Sequence, residues 1–305
     1  MKKINRRVFV QNSSIAIAGI VYTNQLFSFK KNSSLLSFST LGCPKWTFPK
    51  IIDFASRNGY NGIEIRGITG ELDLTKCAEF SKEKIGSTLR MMEDKRLRFV
   101  DLGSSAELHH ADPEKRKNNL DAAKKFIDLA QALDCPYIRV FPNKIPKDAE
   151  RNATIELIIG GLTELGNYAK GSKVAVLMES HGDAVQTSDL LHIMKSAEGP
   201  NTGMIWDVVN MWSVTKEPPA TVYAQLKKYI RHTHIKDAKL VNGEPHYVLF
   251  GQGETPIGEA ISILYHGGYD GFYSFEWEKM WHPEIEEPEI ALADFPKAIK
   301  KYLDK

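Results

Sequence analysis

The second half of the chain contains four short apolar runs that each end in a side chain able to bind a metal ion. In chain order, these end residues are Glu179, Asp207, His234 and Glu276. Any one of them alone would most often be an ion-pair partner or a hydrogen-bonded core residue, but four successive cases indicate a shared site. The set offers hard oxygen donors and one imidazole, which suits Mn²⁺ or Mg²⁺ and admits Co²⁺ or Zn²⁺. We therefore expect one divalent cation, with Mn²⁺ as the first choice.

Eight strand-like runs, alternating with helix-like stretches, must position these residues. The runs begin near Leu36, Gly62, Phe99, Tyr137, Val174, Met204, Ile230 and Phe272. Strands that alternate with helices form right-handed parallel βαβ units, and eight such units predict an α/β fold of the (β/α)₈ TIM-barrel class. A doubly wound open sheet is the alternative. It would need a glycine-rich phosphate-binding turn after an early strand, and Gly62 to Gly70 does not match that pattern.

The spacing of apolar residues also predicts individual helices and loops. Helical periodicity indicates helices over Phe48 to Arg57 and Arg116 to Leu133. Pro218-Pro219 and the stretch Gly251 to Gly258 are typical of loops and not of domain linkers. We therefore expect a single barrel domain over residues 32–305.

The carboxyl ends of the strands are where a barrel of this class places its chemistry. Because side chains alternate along a strand, Glu179 is expected to share a face with Ala175 and Leu177, and Glu276 with Ser274. Small residues beneath the carboxylates are compatible with a crowded barrel interior.

Six segments carry a resemblance to a known family. They are Ser37–Pro44 (SFSTLGCP), Gly59–Arg66 (GYNGIEIR), Glu179–His181 (ESH), Trp206-Asp207, His232–Asp237 (HTHIKD) and Gly268–Glu276 (GYDGFYSFE). In their order and spacing, the chain resembles the xylose-isomerase-like barrel superfamily, in particular its sugar phosphate isomerase/epimerase branch. That branch includes ketose 3-epimerases, hydroxypyruvate isomerases and inosose dehydratases. The motifs are specific for the fold and the metal site, not for a substrate.

The resemblance implies that Glu179, Asp207, His234 and Glu276 bind the metal. It also implies that Glu179 and Glu276 flank the bound sugar as acid/base residues. One departure is that relatives often carry Asp-x-x-His on strand six, where this chain has Asp207 followed by Asn210 at the histidine position. Glu278 shares a strand face with Glu276 and is the alternative ligand.

Six further residues are candidates for substrate binding: His181, Lys236, Arg66, Glu64, Asn210 and Arg139. His181 could serve as a second acid/base group or pack within its loop. Lys236 could bind a hydroxyl group or pair with Glu278, and Glu64 with Arg66 could form an ion pair that closes the barrel mouth. His109 and His110 are expected to be exposed in the loop after strand three.

The predicted site suits proton abstraction next to a sugar carbonyl. A cation on the carbonyl and hydroxyl oxygens stabilises the enediolate that a carboxylate base leaves behind. Returning the proton to the opposite face gives epimerisation, returning it to the neighbouring carbon gives isomerisation, and loss of a β-substituent gives elimination. We expect a metal-dependent sugar isomerase or epimerase, with a lyase or hydratase of 3-keto-glycosides or related keto sugars as the alternative.

Two other classes of protein are weighed against this expectation. A non-catalytic sugar-binding barrel would keep the fold while losing ligands, yet all four ligands are present. A DNA-repair endonuclease of the same superfamily is disfavoured because strands three and four do not end in histidines. Relatives are often dimers or tetramers, so a homo-oligomer is possible.

The amino-terminal segment differs in charge from the rest. Residues 1–31 hold six basic and no acidic residues, and without them 34 basic and 38 acidic residues remain, a net charge of −4. A mildly acidic body argues against nucleic acid as the partner. Arg6-Arg7, followed by a short apolar stretch, resembles a twin-arginine export signal, with a disordered basic tail as the alternative. We expect export to the periplasm, where unphosphorylated sugars are the more plausible substrates. No apolar run approaches the ~20 residues of a membrane span.

Overall fold

The structure, a computed structural model, describes residues 35–303. Its strands are β1 (Leu35–Ser39), β2 (Gly62–Ile65), β3 (Arg98–Glu107), β4 (Tyr137–Phe141), β5 (Ala175–Glu179), β6 (Thr202–Asp207), β7 (Ile230–Ile235), β8 (Asp237–Val241), β9 (Glu244–Val248) and β10 (Phe272–Phe275). The predicted export signal, residues 1–31, lies outside the described residues.

Helices follow the strands around the molecule. They are α1 (Phe48–Arg57), α2 (Ile85–Asp94), α3 (Pro113–Ala132), α4 (Arg151–Tyr168), α5 (Thr187–Ser196), α6 (Val208–Thr215), α7 (Pro219–Leu226), α8 (Ile257–His266), α9 (Pro288–Ala298) and α10 (Lys300–Leu303). Short 3₁₀ turns cover Thr40–Gly42, Leu74–Lys76 and Ala78–Phe80. Among the described residues, no helix has the length and apolar character needed to cross a membrane.

Eight of the strands close into a parallel barrel, in the order β1-β10-β7-β6-β5-β4-β3-β2. The predicted (β/α)₈ TIM barrel is therefore confirmed, and the doubly wound open sheet is excluded. The expected helix over 48–57 has the same bounds in the structure. Helix α3 begins at Pro113, three residues before the predicted start, because the Asp112 carboxylate accepts a hydrogen bond from the Lys115 amide at 2.8 Å and caps the helix.

The two faces of the barrel strands carry different sets of buried side chains. Ala175, Leu177 and Ile205 form a small apolar cluster on the strand faces that carry Glu179 and Asp207, inside the barrel. A much larger apolar cluster packs the opposite strand faces against the helices, with Phe38, Val176 and Trp206 among its members. The inside of the barrel is thus apolar at one end and polar toward the carboxyl ends of the strands.

The strands β8 and β9 form an antiparallel hairpin directly after β7 and outside the barrel. The turn residues Asn242 and Gly243 have φ angles of 53° and 88°, in the left-handed region that a two-residue hairpin turn requires. Next to it, the Asp237 carboxylate accepts hydrogen bonds from the Gly251 and Gly253 amides, both at 2.9 Å. The predicted loop over 251–258 ends two residues earlier in the structure, because α8 begins at Ile257, and it is anchored to the strand that leaves the site.

Candidate metal centre and active site

The four predicted ligands meet at the carboxyl end of the barrel. Each offers one ligand atom, and these four atoms all lie within 4.8 Å of one another. The strand register accounts for part of this arrangement, because Asp207 on β6 and Ser274 on β10 both lie beside His234 on β7. Glu278, the alternative ligand, does not belong to the group.

His234 is the residue whose geometry most resembles that of a metal ligand. Its Nδ1 lies 3.3 Å from Glu276 Oε1, 3.4 Å from Glu179 Oε1 and 3.9 Å from Asp207 Oδ2. This nitrogen is buried and has no hydrogen-bond partner. Buried polar groups are nearly always satisfied, so an unpaired nitrogen facing three carboxylate oxygens fits a cation bound between them.

Glu64 holds the other side of the same imidazole, which corrects its predicted place at the barrel mouth. The side chain is completely buried, and its Oε2 lies 3.1 Å from His234 Nε2 and 3.0 Å from His232 Nε2. Ser274 donates a third hydrogen bond to that oxygen at 3.1 Å. Metal-binding histidines usually donate their second nitrogen to a carboxylate or carbonyl. Glu64 thus orients His234, one of the predicted ligands, and it forms no ion pair with Arg66.

Burial and the neighbouring charges shift the pKa values of the four residues in different directions. Although burial opposes ionisation, His234 and Arg139 lower the pKa of Glu179 to about 2. Burial raises the pKa of Asp207 to about 7, although the nearby Lys236 ammonium opposes the shift. Burial alone would lower the pKa of His234, but the carboxylates of Glu276, Glu64 and Glu179 raise it well above its usual 6.5. Without a cation, a proton on His234 therefore offsets part of the negative charge of these carboxylates. A bound cation would take over that role.

Lys236 forms ion pairs both with residues of the four-residue group and with Glu278, which lies outside it. Its ammonium lies 2.7 Å from Glu276 Oε2, 2.6 Å from Glu278 Oε1 and 2.8 Å from Asp207 Oδ2. Pairing with Glu278, one of the two predicted options, is present, and Lys236 also lines the site cavity. Burial raises the pKa of Glu278, although the Lys236 ammonium opposes the shift.

Two arginines border the site from β2 and β4. Arg139 donates to Glu179 Oε2 at 2.8 Å and is buried. Arg66 donates to the Gly103 carbonyl at 3.3 Å and to Ser105 Oγ at 2.9 Å. Burial and the neighbouring Arg139 lower the pKa of Arg66 to about 9, so both guanidinium groups are cationic at neutral pH.

Glu107 and Asn143, which were not predicted as site residues, form a chain of hydrogen bonds to His181. The Asn143 amide nitrogen donates to Glu107 Oε1, which can only accept. This fixes the amide orientation, so that Asn143 Oδ1 faces His181 Nδ1 at 2.8 Å. His181 must then carry its proton on Nδ1, and Nε2 is left as an acceptor. Sequence reasoning missed Asn143 and Glu107, because neither lies in a recognisable motif.

The site opens into a cavity of about 330 Å³. Glu179, Glu276, His181, Lys236, Arg66 and Arg139 all line it. Asn210, a predicted substrate contact, does not line the cavity; its amide lies 3.4 Å from Glu179 Oε1 and 3.4 Å from the Ser180 carbonyl. In this structure Asn210 therefore contacts Glu179, one of the predicted ligands, from outside the cavity. A larger cavity of about 530 Å³, between α3 and the segment after β2, contains none of the four ligands.

The fold and this site define a class of protein. A family model described as xylose isomerase-like TIM barrel matches residues 52–299, and the chain belongs to that family. The resemblance drawn from the sequence motifs is thereby confirmed at the level of the superfamily. No curated protein sequence matches the chain.

Solved structures with the same fold include proteins of several described activities. The probable 3-DHS dehydratase AsbF of Bacillus anthracis is 18% identical, with a TM-score of 0.70 over 89% of this chain and 99% of that chain. D-psicose 3-epimerase of Clostridium cellulolyticum H10 is 15% identical, with a TM-score of 0.70 over 88% and 99%. The IOLI protein, described with a bound zinc atom, is 16% identical, with a TM-score of 0.75 over 88% and 98%. At these low sequence identities, the similarity shows a shared fold and no more than that.

Proposed function

We propose that the protein is a divalent-metal-dependent sugar isomerase or epimerase that removes a proton next to a carbonyl group. The observation that carries this proposal is the unpaired His234 Nδ1 surrounded by oxygens of Glu179, Asp207 and Glu276. Glu179 and Glu276 also line the cavity, so the same carboxylates that would hold a cation reach the substrate space. The epimerase and dehydratase activities named for proteins of this fold are consistent with such chemistry.

The four residues Glu179, Asp207, His234 and Glu276 would hold Mn²⁺ or a similar cation. When bound, the cation supplies a Lewis acid that stabilises negative charge on the substrate oxygens. Glu179 is ionised, because its pKa is lowered to about 2, and it can act as the base. Although burial opposes ionisation, His234 and Lys236 lower the pKa of Glu276 well below its usual value. Glu276 would therefore take up a proton from solvent before it returns one to the substrate, and the two carboxylates would flank the substrate.

His181, Lys236 and the two arginines would complete the binding site. The fixed tautomer of His181 leaves Nε2 able to accept a proton from a substrate hydroxyl. Burial lowers the pKa of His181, so its imidazole is neutral before the reaction. Lys236, Arg66 and Arg139 are donors on the cavity wall that suit carbonyl and hydroxyl oxygens.

A lyase or hydratase of 3-keto-glycosides is the second candidate, and Asn210 favours it. The Asn210 amide cannot transfer protons, and it is already within 3.4 Å of Glu179 Oε1. The site therefore has fewer proton carriers than a site with histidine at this position. Elimination needs one base, which Glu179 could supply, and one acid for the leaving group. His181 could serve as that acid once its Nε2 has accepted a proton from a substrate hydroxyl.

Export to the periplasm is part of the proposal and rests on Arg6-Arg7 in the amino-terminal segment. An exported enzyme would meet unphosphorylated sugars or keto sugars. The non-catalytic sugar-binding barrel remains the contrasting class, and the experiment below separates it from an enzyme.

The test measures deuterium uptake from ²H₂O into D-fructose and into a methyl 3-keto-glucoside, with Mn²⁺ present. We expect exchange at the carbon next to the carbonyl, and a drop of about 100-fold or more in Glu179→Gln and Glu276→Gln. Glu278→Gln, which changes a carboxylate outside the ligand group, should retain bound metal. Exchange without elimination supports the isomerase, and loss of the β-substituent supports the lyase. Sugar binding by the wild type, with no exchange or elimination in either substrate, would identify a binding protein.

A further inference from the structure

A second group of side chains able to bind a metal ion lies at the last residue of β3 and in the loop that follows it. Glu107, His109 and His110 each offer one ligand atom, and these three atoms lie within 4.8 Å of one another. The two histidines were expected to be exposed, but their side chains retain only 13% and 22% of their accessible surface. Their side chains are less exposed than expected because both imidazoles face the Glu107 carboxylate.

The distances in this group suit a small cation. His110 Nε2 lies 2.9 Å from Glu107 Oε2, and His109 Nδ1 lies 3.9 Å from the same oxygen. Neighbouring ligands of a tetrahedral zinc ion, with bonds of about 2.0–2.2 Å, are separated by about 3.3 Å. His109 Nδ1 is buried and has no hydrogen-bond partner, as is also true of His234 Nδ1 in the first group.

The backbone that carries the three side chains is held in place. The Glu107 amide donates to Asn119 Oδ1 at 2.8 Å, and the Leu108 amide donates to the Phe141 carbonyl at 2.9 Å. Arg116 donates to the Leu108 carbonyl at 3.1 Å, and the Leu108 side chain is buried. Ligands on a fixed backbone lose little conformational freedom when a cation binds, which favours affinity.

We propose that Glu107, His109 and His110 form a second metal site that takes Zn²⁺ or a similar borderline divalent cation. Two imidazoles and one carboxylate are softer donors than the three carboxylates and one imidazole of the first group. Three protein ligands leave at least one coordination position for water or another oxygen ligand. Glu107 lines the cavity of the first site, so the second site adjoins the substrate space.

The same carboxylate connects the second site to His181. Glu107 Oε2 faces the histidines, while Oε1 accepts the hydrogen bond from Asn143. A cation on Oε2 leaves that hydrogen bond in place and restricts the rotation of the carboxylate. Occupancy of the second site would therefore hold Asn143, and through it the His181 imidazole, in one orientation.

Zinc content of the full chain tests the proposal. The protein is stripped with a chelator, incubated with Zn²⁺ alone, desalted and measured by mass spectrometry. We expect two equivalents of zinc in the wild type and one in each of His109→Gln and His110→Gln. Glu276→Gln, which disrupts the first group, should also hold one equivalent, and its combination with His109→Gln should hold none.

Matched controls separate this result from nonspecific binding and from misfolding. His282→Gln removes a histidine that pairs with Glu284 at 3.2 Å and belongs to no three-residue group among residues 35–303, so it should still hold two equivalents. The thermal midpoints of the metal-free variants show that they fold. Equal zinc content in the wild type, His109→Gln and His110→Gln overturns the second site. A wild type with one equivalent that only His109→Gln and His110→Gln lose would instead overturn the four-ligand group.

Discussion

The two nitrogens of His234 lie in opposite environments, and this difference fixes its role. Nε2 is hydrogen-bonded to Glu64, whereas Nδ1 has no hydrogen-bond partner and faces three carboxylates. That Glu179, Asp207, His234 and Glu276 lie together could be predicted from the sequence, because each ends its own strand. Glu64 was placed wrongly because its partner, His234, is 170 residues away along the chain. Side-chain pairing over such a separation is visible only once the barrel closes.

Replacement of Glu64 by glutamine should weaken metal binding without removing a ligand. The amide keeps the size of the side chain but loses the charge that orients His234 and holds a proton on its Nε2, the nitrogen opposite the cation position. We expect the dissociation constant for Mn²⁺ to rise about 10- to 100-fold, measured by titration calorimetry. Ser274→Ala, which removes only one hydrogen bond to the same oxygen, should cause a smaller change. An unchanged affinity in Glu64→Gln would show that Glu64 does not act through His234.

Replacement of Asn143 by glycine should reduce turnover while leaving substrate affinity nearly unchanged. Asn143 has a φ of 52°, a conformation that glycine adopts without strain, so the variant removes the amide and not the backbone geometry. Without Asn143 Oδ1, the tautomer of His181 is no longer fixed, and kcat should fall about 10-fold or more. Asn242→Gly, at a φ of 53° in the hairpin turn, is the matched control and should retain full kcat. A rise in KM at constant kcat would assign Asn143 to substrate binding instead.

At the scale of elements, strand starts and the longer helices were predictable from periodicity, but local hydrogen bonds set the final bounds. Helix α3 starts early because Asp112 caps it, and the hairpin of β8 and β9 was not predicted although Asn242-Gly243 is a typical hairpin turn. The apolar pattern of these two strands is weak because their side chains are mostly half-buried or exposed. Periodicity cannot indicate a strand that has no buried face.

The loop after the hairpin should tolerate no side chain at Gly253. A Cβ atom there would clash with Asp237 Oδ1 and with the Ala238 carbonyl. We expect Gly253→Ala to lower the free energy of unfolding by about 1–3 kcal/mol, measured by urea denaturation. Gly86→Ala in α2 is the control, because its Cβ would contact nothing closer than 3.8 Å, and it should be neutral or stabilising. Equal stability of both variants would mean that the Asp237 anchor is easily displaced.

At the scale of the whole molecule, the closed barrel brings several ionisable side chains together in its buried interior. Asp101 on β3 lies beside Glu64 in the sheet register, and both of its oxygens are buried without partners. Burial and the neighbouring Glu64 raise the pKa of Asp101 well above its usual value. Only a closed barrel brings such groups together, and the strand pattern alone did not reveal that the polar interior extends beneath the predicted ligands.

The stability of the metal-free protein should fall as pH rises from about 7 to about 8. The pKa values of His234 and Asp207 are raised in the folded state, whereas those of His181 and His232 are lowered and these two imidazoles are mostly neutral in both states above pH 7. The folded chain therefore binds more protons than the unfolded chain in this range. The cation competes with those protons, and the increase in thermal midpoint on adding Mn²⁺ should therefore grow with pH. Thermal scans with and without Mn²⁺ at several pH values measure both trends. A pH-independent increase would indicate that the cation binds elsewhere.

The most direct test of the central claim is the anomalous diffraction of Mn²⁺ in crystals of the protein. The account predicts one strong peak bonded to His234 Nδ1 and to oxygens of Glu179, Asp207 and Glu276, and loss of that peak in Glu276→Gln. A peak that avoids all four residues, or a crystal saturated with Mn²⁺ in which Lys236 still occupies the position among the carboxylates, would contradict it.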